Sequence, residues 1–437
     1  MKLNWFSPLP PARTGIADYT FGVLPALIKH AEVTLWTDQN EWDPAVERYA
    51  AVRQYQPDRI DWRELNRSDL SFYHIGNNHL FHASIWQVSR RAAGIVILHD
   101  FRLHDFFESL YRGKWRDQHG YLALMDTYYG RDGLKAAIEF VNAEHADYDL
   151  MAQRYPLTLL ALENALGALV HTQEAFEELR STNRLPVVYA PLPSPVSSRT
   201  HSRRASRNPY HLIIFGHIGR NRRLNAVLDA LAQIPGRQRF HLDIYGEIDD
   251  SKALRNQIHK LELKEMVSVH GYAPEAELDQ ALDAASLAIN LRYPTMGEAS
   301  ASQLRIWDHA LPSLVTKIGW YGSLSDEIVG HVRPEHEVVD IRAHLESFLE
   351  DPDRYARMGE RGYRFVKEEH DPDAYAKTIV SLATDARSFM LRKTAYDLAR
   401  RTGTEMGAWT SPKSIGDLPR KVAETIHTLS HKEGRKS

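Results

Sequence analysis

The chain has 437 residues, and its 54 lysines and arginines against 57 aspartates and glutamates give a net charge of −3. That length exceeds one compact core and divides into two domains of about 200 residues each. The near-balanced charge gives no electrostatic case for nucleic acid, and the lack of cysteine excludes disulfides, thiolate metal sites and cysteine nucleophiles. No apolar run reaches the ~20 residues that span a bilayer, and MKLNWFSPLPPARTG carries no signal-peptide core. A cytoplasmic protein is expected.

In chain order, KLNWF, EVTLWT, LSFYHIG, GIVILH and ALVHT are short apolar runs separated by helical periodicity. This is the pattern of buried parallel strands in βα units. After KLNWF a proline-stiffened loop passes Arg13 and Thr14 to Gly15, where the IADYTFGVLPAL helix begins. Gly15 is either ligand-facing or part of an ordinary βα turn. His99 and Asp100 close the GIVIL strand, at the end where α/β enzymes display functional side chains. His74, His79, His82, His99 and His104 lack metal-ligand spacing, so no metal site is read. From His104 to Gly167 the pattern is mainly helical, a helical insertion over about 105–165. Its Tyr111, Trp115, Tyr121, Tyr128 and Tyr129 suit packing between helices, with stacking on sugar rings as the alternative. The tract YAPLPSPVSSRTHSRRASRNP, 189–209, is rich in Pro, Ser and Arg and reads as a solvated linker.

HLIIFG restarts the strand pattern, and Leu224, Val227, Leu228 and Leu231 then share one helical face. FHLDIYG, VSVHG, LAINL and SLVT continue the strands, and 353–390 is helical in pattern. The expected fold is α/β: two Rossmann-like doubly wound domains, 1–190 and 210–370, joined by a linker at 191–209. Such domains face each other across a cleft at the C-terminal edges of their sheets.

Two stretches of the second half carry candidate chemistry. FGHIGRNRRL joins a strand to a helix through Gly216 and Gly219, with Arg220, Arg222 and Arg223 clustered in the turn. Glycines, cations and a helix N-terminus together suit a phosphate. The turn is neither G-x-G-x-x-G nor a Walker loop, so dehydrogenase and P-loop readings fall away. YPTMGEASASQLRIWDHALP sets a lone acid, Glu298, among Gly297, Ala299 and Ser300, with Arg305 farther along the helix. Glu298 either answers a helix dipole in a first turn or belongs to a ligand site where small residues allow close approach.

SPLPPARTGIADY, HIGNN, VILHDFRLH, FGHIGRNRR and RYPTMGEASASQLRIWDHALPSLVT, in that order over roughly residues 1–385, resemble the retaining glycosyltransferases of the GT-B fold, family 4 (glycosyl transferases group 1). The resemblance implies two domains clamping a nucleotide-sugar, a C-terminal helix at 371–390 crossing back to the first domain, and an extension at 391–437. It implies transfer of a hexose, with retention of configuration, to a hydroxyl of a glycan or lipid-linked glycan in cell-surface polysaccharide synthesis. The nucleotide-sugar serves as co-substrate, with no cofactor and no metal. Contact with the inner face of a membrane is left open.

Carried over by residue, Gly15 matches the glycine of the N-terminal phosphate loop. His99 matches the strand-end histidine touching the donor sugar, with Asp100 beside it. His217 stands where the family has arginine, and Arg222 where it has the pyrophosphate-binding lysine; Gly216, Gly219, Arg220 and Arg223 complete that loop. Glu298 matches the first acid of the Glu-x7-Glu motif, a contact to donor hydroxyls, with Gly297, Ala299 and Ser300 lending backbone N–H groups. His99, Arg222 and Glu298 are thus the expected catalytic residues. Arg305 replaces the second, ribose-binding Glu one residue early, and is expected to turn to a phosphate or to pair with Asp308. Two other functions remain open at this stage: a non-catalytic GT-B subunit scaffolding glycan assembly, and a GT-B nucleotide-sugar 2-epimerase.

Overall fold

The computed structural model describes residues 1–143, 145–195, 208–407 and 417–431. Within these, the first sheet holds β1 (Lys2–Phe6), β2 (Glu32–Thr37), β3 (Ala51–Gln54), β4 (Leu70–Ile75), β5 (Gly94–Leu98), β6 (Ala165–Val170) and β7 (Val187–Tyr189). They pair in parallel in the order β3-β2-β1-β4-β5-β6-β7. The second sheet holds β8 (Tyr210–Phe215), β9 (Phe240–Tyr245), β10 (Val267–Gly271), β11 (Leu287–Asn290), β12 (Ser313–Thr316) and β13 (Gly330–Val332). Its order is β10-β9-β8-β11-β12-β13, again parallel.

Strand direction of travel reverses between β1 and β4 in one sheet and between β8 and β11 in the other. Those are the switch points at which open α/β sheets leave a crevice. The loops that emerge there are the ones singled out above: 7–14 and 76–78, then 216–223 and 291–300. Central strands are buried on both faces, as in LSFYHI of β4, because helices cover both sides of a parallel sheet. AVRQ of β3, which shows no apolar signature, lies at an edge of its sheet and has no fully buried residue. An edge needs less burial, so its sequence shows less of it.

Helices His104–Glu108, Gln118–Asn142, Tyr148–Arg154 and Thr158–Ala161 fill the long segment before β6. Its aromatics act mainly as struts. Tyr121 is fully buried with its hydroxyl 2.9 Å from His104 Nε2, and the Tyr129 hydroxyl accepts from Leu157 N at 2.7 Å. Of the linker, residues 196–207 lie outside the described residues.

Helix Pro372–Gly407 returns to the first sheet and runs well past the expected end at 390. Ile379 and Leu382 join an apolar cluster that extends from Leu3, Leu24 and Leu27 to Trp307 and Trp320. The Tyr375 hydroxyl lies 2.6 Å from that of Tyr19, and Asp373 pairs with Lys29 at 2.8 Å. Helix Leu418–His431 packs on it, whereas 408–416 and 432–437 of the extension lie outside the described residues.

Candidate functional site

The loop after β8 turns at Gly216, whose φ of +100° suits glycine. The Arg222 guanidinium folds back over it: a Cβ on Gly216 would lie 2.9 Å from Arg222 Nη2. Arg222 is 5% exposed; Nη1 donates to Asn290 Oδ1 at 2.6 Å and Nε to the His217 carbonyl at 3.4 Å. Burial first, and Arg292 nearby second, pull its pKa down to about 9.

The neighbouring cations behave differently, which corrects the expected cluster. Arg223 sits in the left-handed region (φ 55°) just before helix Leu224–Gln233, which turns its side chain onto Glu337 as a bidentate pair at 2.7 and 2.7 Å. The Arg220 side chain is 83% exposed and pairs with Asp149 at 2.9 Å. His217 is exposed and pairs with Asp249 at 2.9 Å; the same carboxylate would meet a Cβ on Gly219 at 2.8 Å. Three of the four expected basic side chains thus already have carboxylate partners.

The loop after β11 builds a nest for Glu298. Its Oε2 accepts from Thr295 Oγ1 at 2.8 Å and from Met296 N at 2.7 Å, and Oε1 lies 3.4 Å from Arg292 Nε. Glu298 is 9% exposed. Helix Ala301–Asp308 starts only afterwards, capped by Ser300 Oγ accepting from Gln303 N at 3.1 Å. Glu298 is therefore a loop carboxylate and does not sit in the first helical turn. Ser300 spends its hydroxyl on the cap, and Ala299 packs against the apolar cluster. Arg292 was not singled out from the sequence. Its available signal was a lone cation just past an apolar strand, six residues before Glu298.

Arg305 turns away from this loop. Its Nη2 donates to Asp279 Oδ1 at 2.7 Å and to the Glu275 carbonyl at 3.3 Å, on helix Glu275–Ala284. The expected partners, a phosphate or Asp308, give way to Asp279.

The first domain closes on the same loop. Phe101 N and Arg102 N both donate to the Met296 carbonyl, at 2.9 and 2.8 Å, and Gln153 Nε2 donates to Thr295 O at 3.1 Å. Gly297 has φ +77°, and a Cβ there would lie 2.7 Å from Phe101 Cβ. Gly297→Ala should thus cost about 1–2 kcal/mol in backbone strain alone and prise Met296 from Phe101 and Arg102. A lower melting temperature together with weakened activity is expected; a variant matching wild type in both would show that this contact does not matter.

Asp100 Oδ2 accepts from Asn77 N at 2.7 Å. Burial, then the charge of Glu298, push its carboxyl up to about 7. His99 Nε2 lies 2.9 Å from His74 Nδ1, and its ring sits against Tyr19 and His171, with centroids at 4.8 and 5.1 Å. Gly15 opens helix Gly15–Leu27, and a Cβ there would be 3.9 Å from Ala301 Cβ. Two helix N-termini from the two domains therefore meet, each with its positive dipole end.

Burial holds His82, His104 and His171 down to about 4 and keeps His74 and His99 well below the usual histidine value. An unfolded histidine titrates near 6.5, so below that pH the unfolded chain binds more protons. This stability is fully present above about pH 6.5 and is lost as pH falls towards 4. The melting temperature should decline steeply over that window, and His171→Gln should flatten the decline; a pH-independent melting point between 7 and 5 would contradict it.

A buried guanidinium with neutral partners beside converging helix starts suits a diphosphate. The Glu298 carboxylate and the Asp100 carboxyl beside a neutral His99 suit sugar hydroxyls.

The family described as Glycosyl transferases group 1 matches residues 199–365. Among curated proteins none matches the chain by sequence. Solved structures similar to it include HepE of Anabaena in complex with UDP, at TM-score 0.62 and 14% identity, covering 88% of this chain and all of that one. The sucrose-phosphate synthase of Thermosynechococcus elongatus aligns at TM-score 0.59 and 14% identity over 88% and 98% of the two chains. A glycosyltransferase of Rickettsia africae gives 0.59 and 10%, over 88% and 98%.

Proposed function

We propose, from the GT-B fold of the chain and the match of residues 199–365 to the family glycosyl transferases group 1, that it is a retaining glycosyltransferase. In this reading it moves a hexose from a nucleotide-sugar to a hydroxyl of a glycan or lipid-linked glycan. The observation that carries it is the meeting of Arg222, Glu298 and Arg292 from one domain with Asp100 and the Gly15 helix start from the other, at the switch points of both sheets, with His99 next to Asp100 in the chain.

The diphosphate would lie against Arg222 and the starts of helices Gly15–Leu27 and Ala301–Asp308. Glu298, His99 and Asp100 would hold the donor sugar. Bond breaking transfers charge to the diphosphate, which Arg222 and the helix dipoles stabilise without a metal ion. The leaving oxygen then takes the proton of the acceptor hydroxyl on the same face, and the configuration is retained. Closure of the two domains excludes water that would otherwise hydrolyse the donor. The acceptor would approach along the helices of 104–161. Among the described residues no helix is long and apolar enough to cross a membrane, and the reading places the protein in the cytoplasm or against the membrane's inner face, in cell-surface polysaccharide synthesis.

The test is a thermal-shift panel of UDP, GDP, dTDP and ADP, with UDP first because it occupies HepE. A cognate nucleotide at about 100 times its Kd should add ~2.7 kcal/mol of stability. NMR of the product from the matching nucleotide-sugar should then show the donor's anomeric configuration. No response to any nucleotide would overturn the reading. Binding without turnover would favour a scaffold, and an epimer formed from donor alone an epimerase.

A further inference from the structure

We propose that Asn290 and Gln303 are positioning residues, which aim Arg222 at the donor diphosphate through a buried, one-way chain of hydrogen bonds. This rests on the reading of Arg222 given above. A guanidinium can only donate, and Arg222 Nη1 donates to Asn290 Oδ1 at 2.6 Å. That bond decides which way the Asn290 amide points, leaving its Nδ2 to donate to Gln303 Oε1 at 3.0 Å. Gln303 in turn is oriented so that Nε2 donates to Ser313 Oγ at 2.8 Å. One obligate donor thereby settles the orientation of both amides, which are otherwise assignable either way round.

The whole chain is out of water: Arg222 is 5% exposed, Asn290 3%, and Gln303 and Ser313 0%. A buried amide left half-satisfied is costly, so turning any one member would orphan the next. The chain joins the loop after β8, the end of β11, helix Ala301–Asp308 and the start of β12. Gln303 also donates its backbone N–H to the Ser300 cap at 3.1 Å. The same residue thus ties Arg222 to the helix start that meets Gly15.

The chemistry of the partner matters as much as its place. Arg223, Arg220 and Arg305 each donate to a carboxylate, Glu337, Asp149 and Asp279 respectively. The hydrogen-bond partners of Arg222 are an amide oxygen and a backbone carbonyl. An amide holds the guanidinium in place without cancelling its charge, which stays available to an anion. Such restraint before the ligand arrives is preorganisation.

The experiment is a double-mutant cycle read by calorimetric titration with UDP, or with whichever of GDP, dTDP and ADP binds best. Gln303→Met keeps an unbranched side chain but ends the relay. It should raise Kd about fivefold to twentyfold in the wild-type background and less than about twofold beside Arg222→Ala. An unchanged Kd in Gln303→Met, or the same loss in both backgrounds, overturns the relay alone. Arg222→Ala binding as tightly as wild type would instead defeat the reading of Arg222 on which it rests. Should Gln303→Met fail to fold, Asn290→Asp replaces it. This variant keeps the contact but places a carboxylate on Arg222, so Kd should rise at least about tenfold; an unchanged Kd would again overturn the relay.

Discussion

Arg222→Ala is expected to lower kcat by about two to three orders of magnitude, or ~3–4 kcal/mol of transition-state stabilisation. The argument is one of timing and dielectric. Negative charge on the leaving diphosphate grows as the glycosidic bond breaks, and Arg222 meets it from a site already stripped of water. In such surroundings a charge interaction is stronger than in solvent. Its hydrogen-bond partners are neutral, so little of its charge is spent inside the protein. The donor KM should change less than kcat, because the ground-state diphosphate carries less charge on the breaking bond's oxygen. Arg222→Lys should recover part of the loss, since the charge survives but the paired bonds to Asn290 Oδ1 and the His217 carbonyl do not. A kcat for Arg222→Ala within a few-fold of wild type would show that the diphosphate lies elsewhere.

The second large effect is expected at Glu298. Glu298→Gln can still accept from Thr295 or Met296 with its amide oxygen, but its NH2 would then face Arg292, now 3.4 Å from a carboxylate oxygen. The substitution leaves Arg292 without that carboxylate, and breaking a buried pair costs about 3–5 kcal/mol. It also removes the anion that would grip donor hydroxyls. Steady-state kinetics should therefore show kcat down about a hundredfold or more, alongside a lower melting temperature. If the melting point falls while kcat per folded molecule holds, Glu298 only supports its loop and takes no part in the reaction.

The contrast between Arg222 and Arg223 illustrates what could be read along the chain. Both follow Gly219 and look alike in FGHIGRNRRL, and only the family resemblance sets Arg222 apart as the catalytic one. What separates them is backbone direction: φ at Arg223 is +55°, which swings it to Glu337, 114 residues away in sequence. No local pattern reports a partner at that distance. Arg305 was legible as an oddity because it occupies an expected acid's place, yet Asp279 belongs to a different helix. Asn290 and Gln303 carried no signal, since buried amides resemble filler until their partners are seen. Arg292, a lone cation after an apolar strand, is not singled out by any motif.

Other features were legible for physical reasons. Central parallel strands are buried on both faces, so KLNWF, GIVIL and LIIF stand out as apolar runs, whereas the edge strand AVRQ does not. Gly297 was noticed as a small residue near an acid. Its positive φ and close approach to Phe101 explain why glycine stands there. For Glu298 the sequence leaves open the first turn of a helix, and only the structure shows it three residues ahead of Ala301 and held by its own loop.

The central claim is that a nucleoside diphosphate sits between the two domains on Arg222. The most direct measurement is a crystal structure of the full chain with the diphosphate that gives the largest thermal shift. The account predicts its phosphates within hydrogen-bonding distance of the Arg222 guanidinium and of backbone N–H groups at the starts of helices Gly15–Leu27 and Ala301–Asp308. A nucleotide bound away from the cleft, or in the cleft with Arg222 still out of reach of its phosphates, would contradict it.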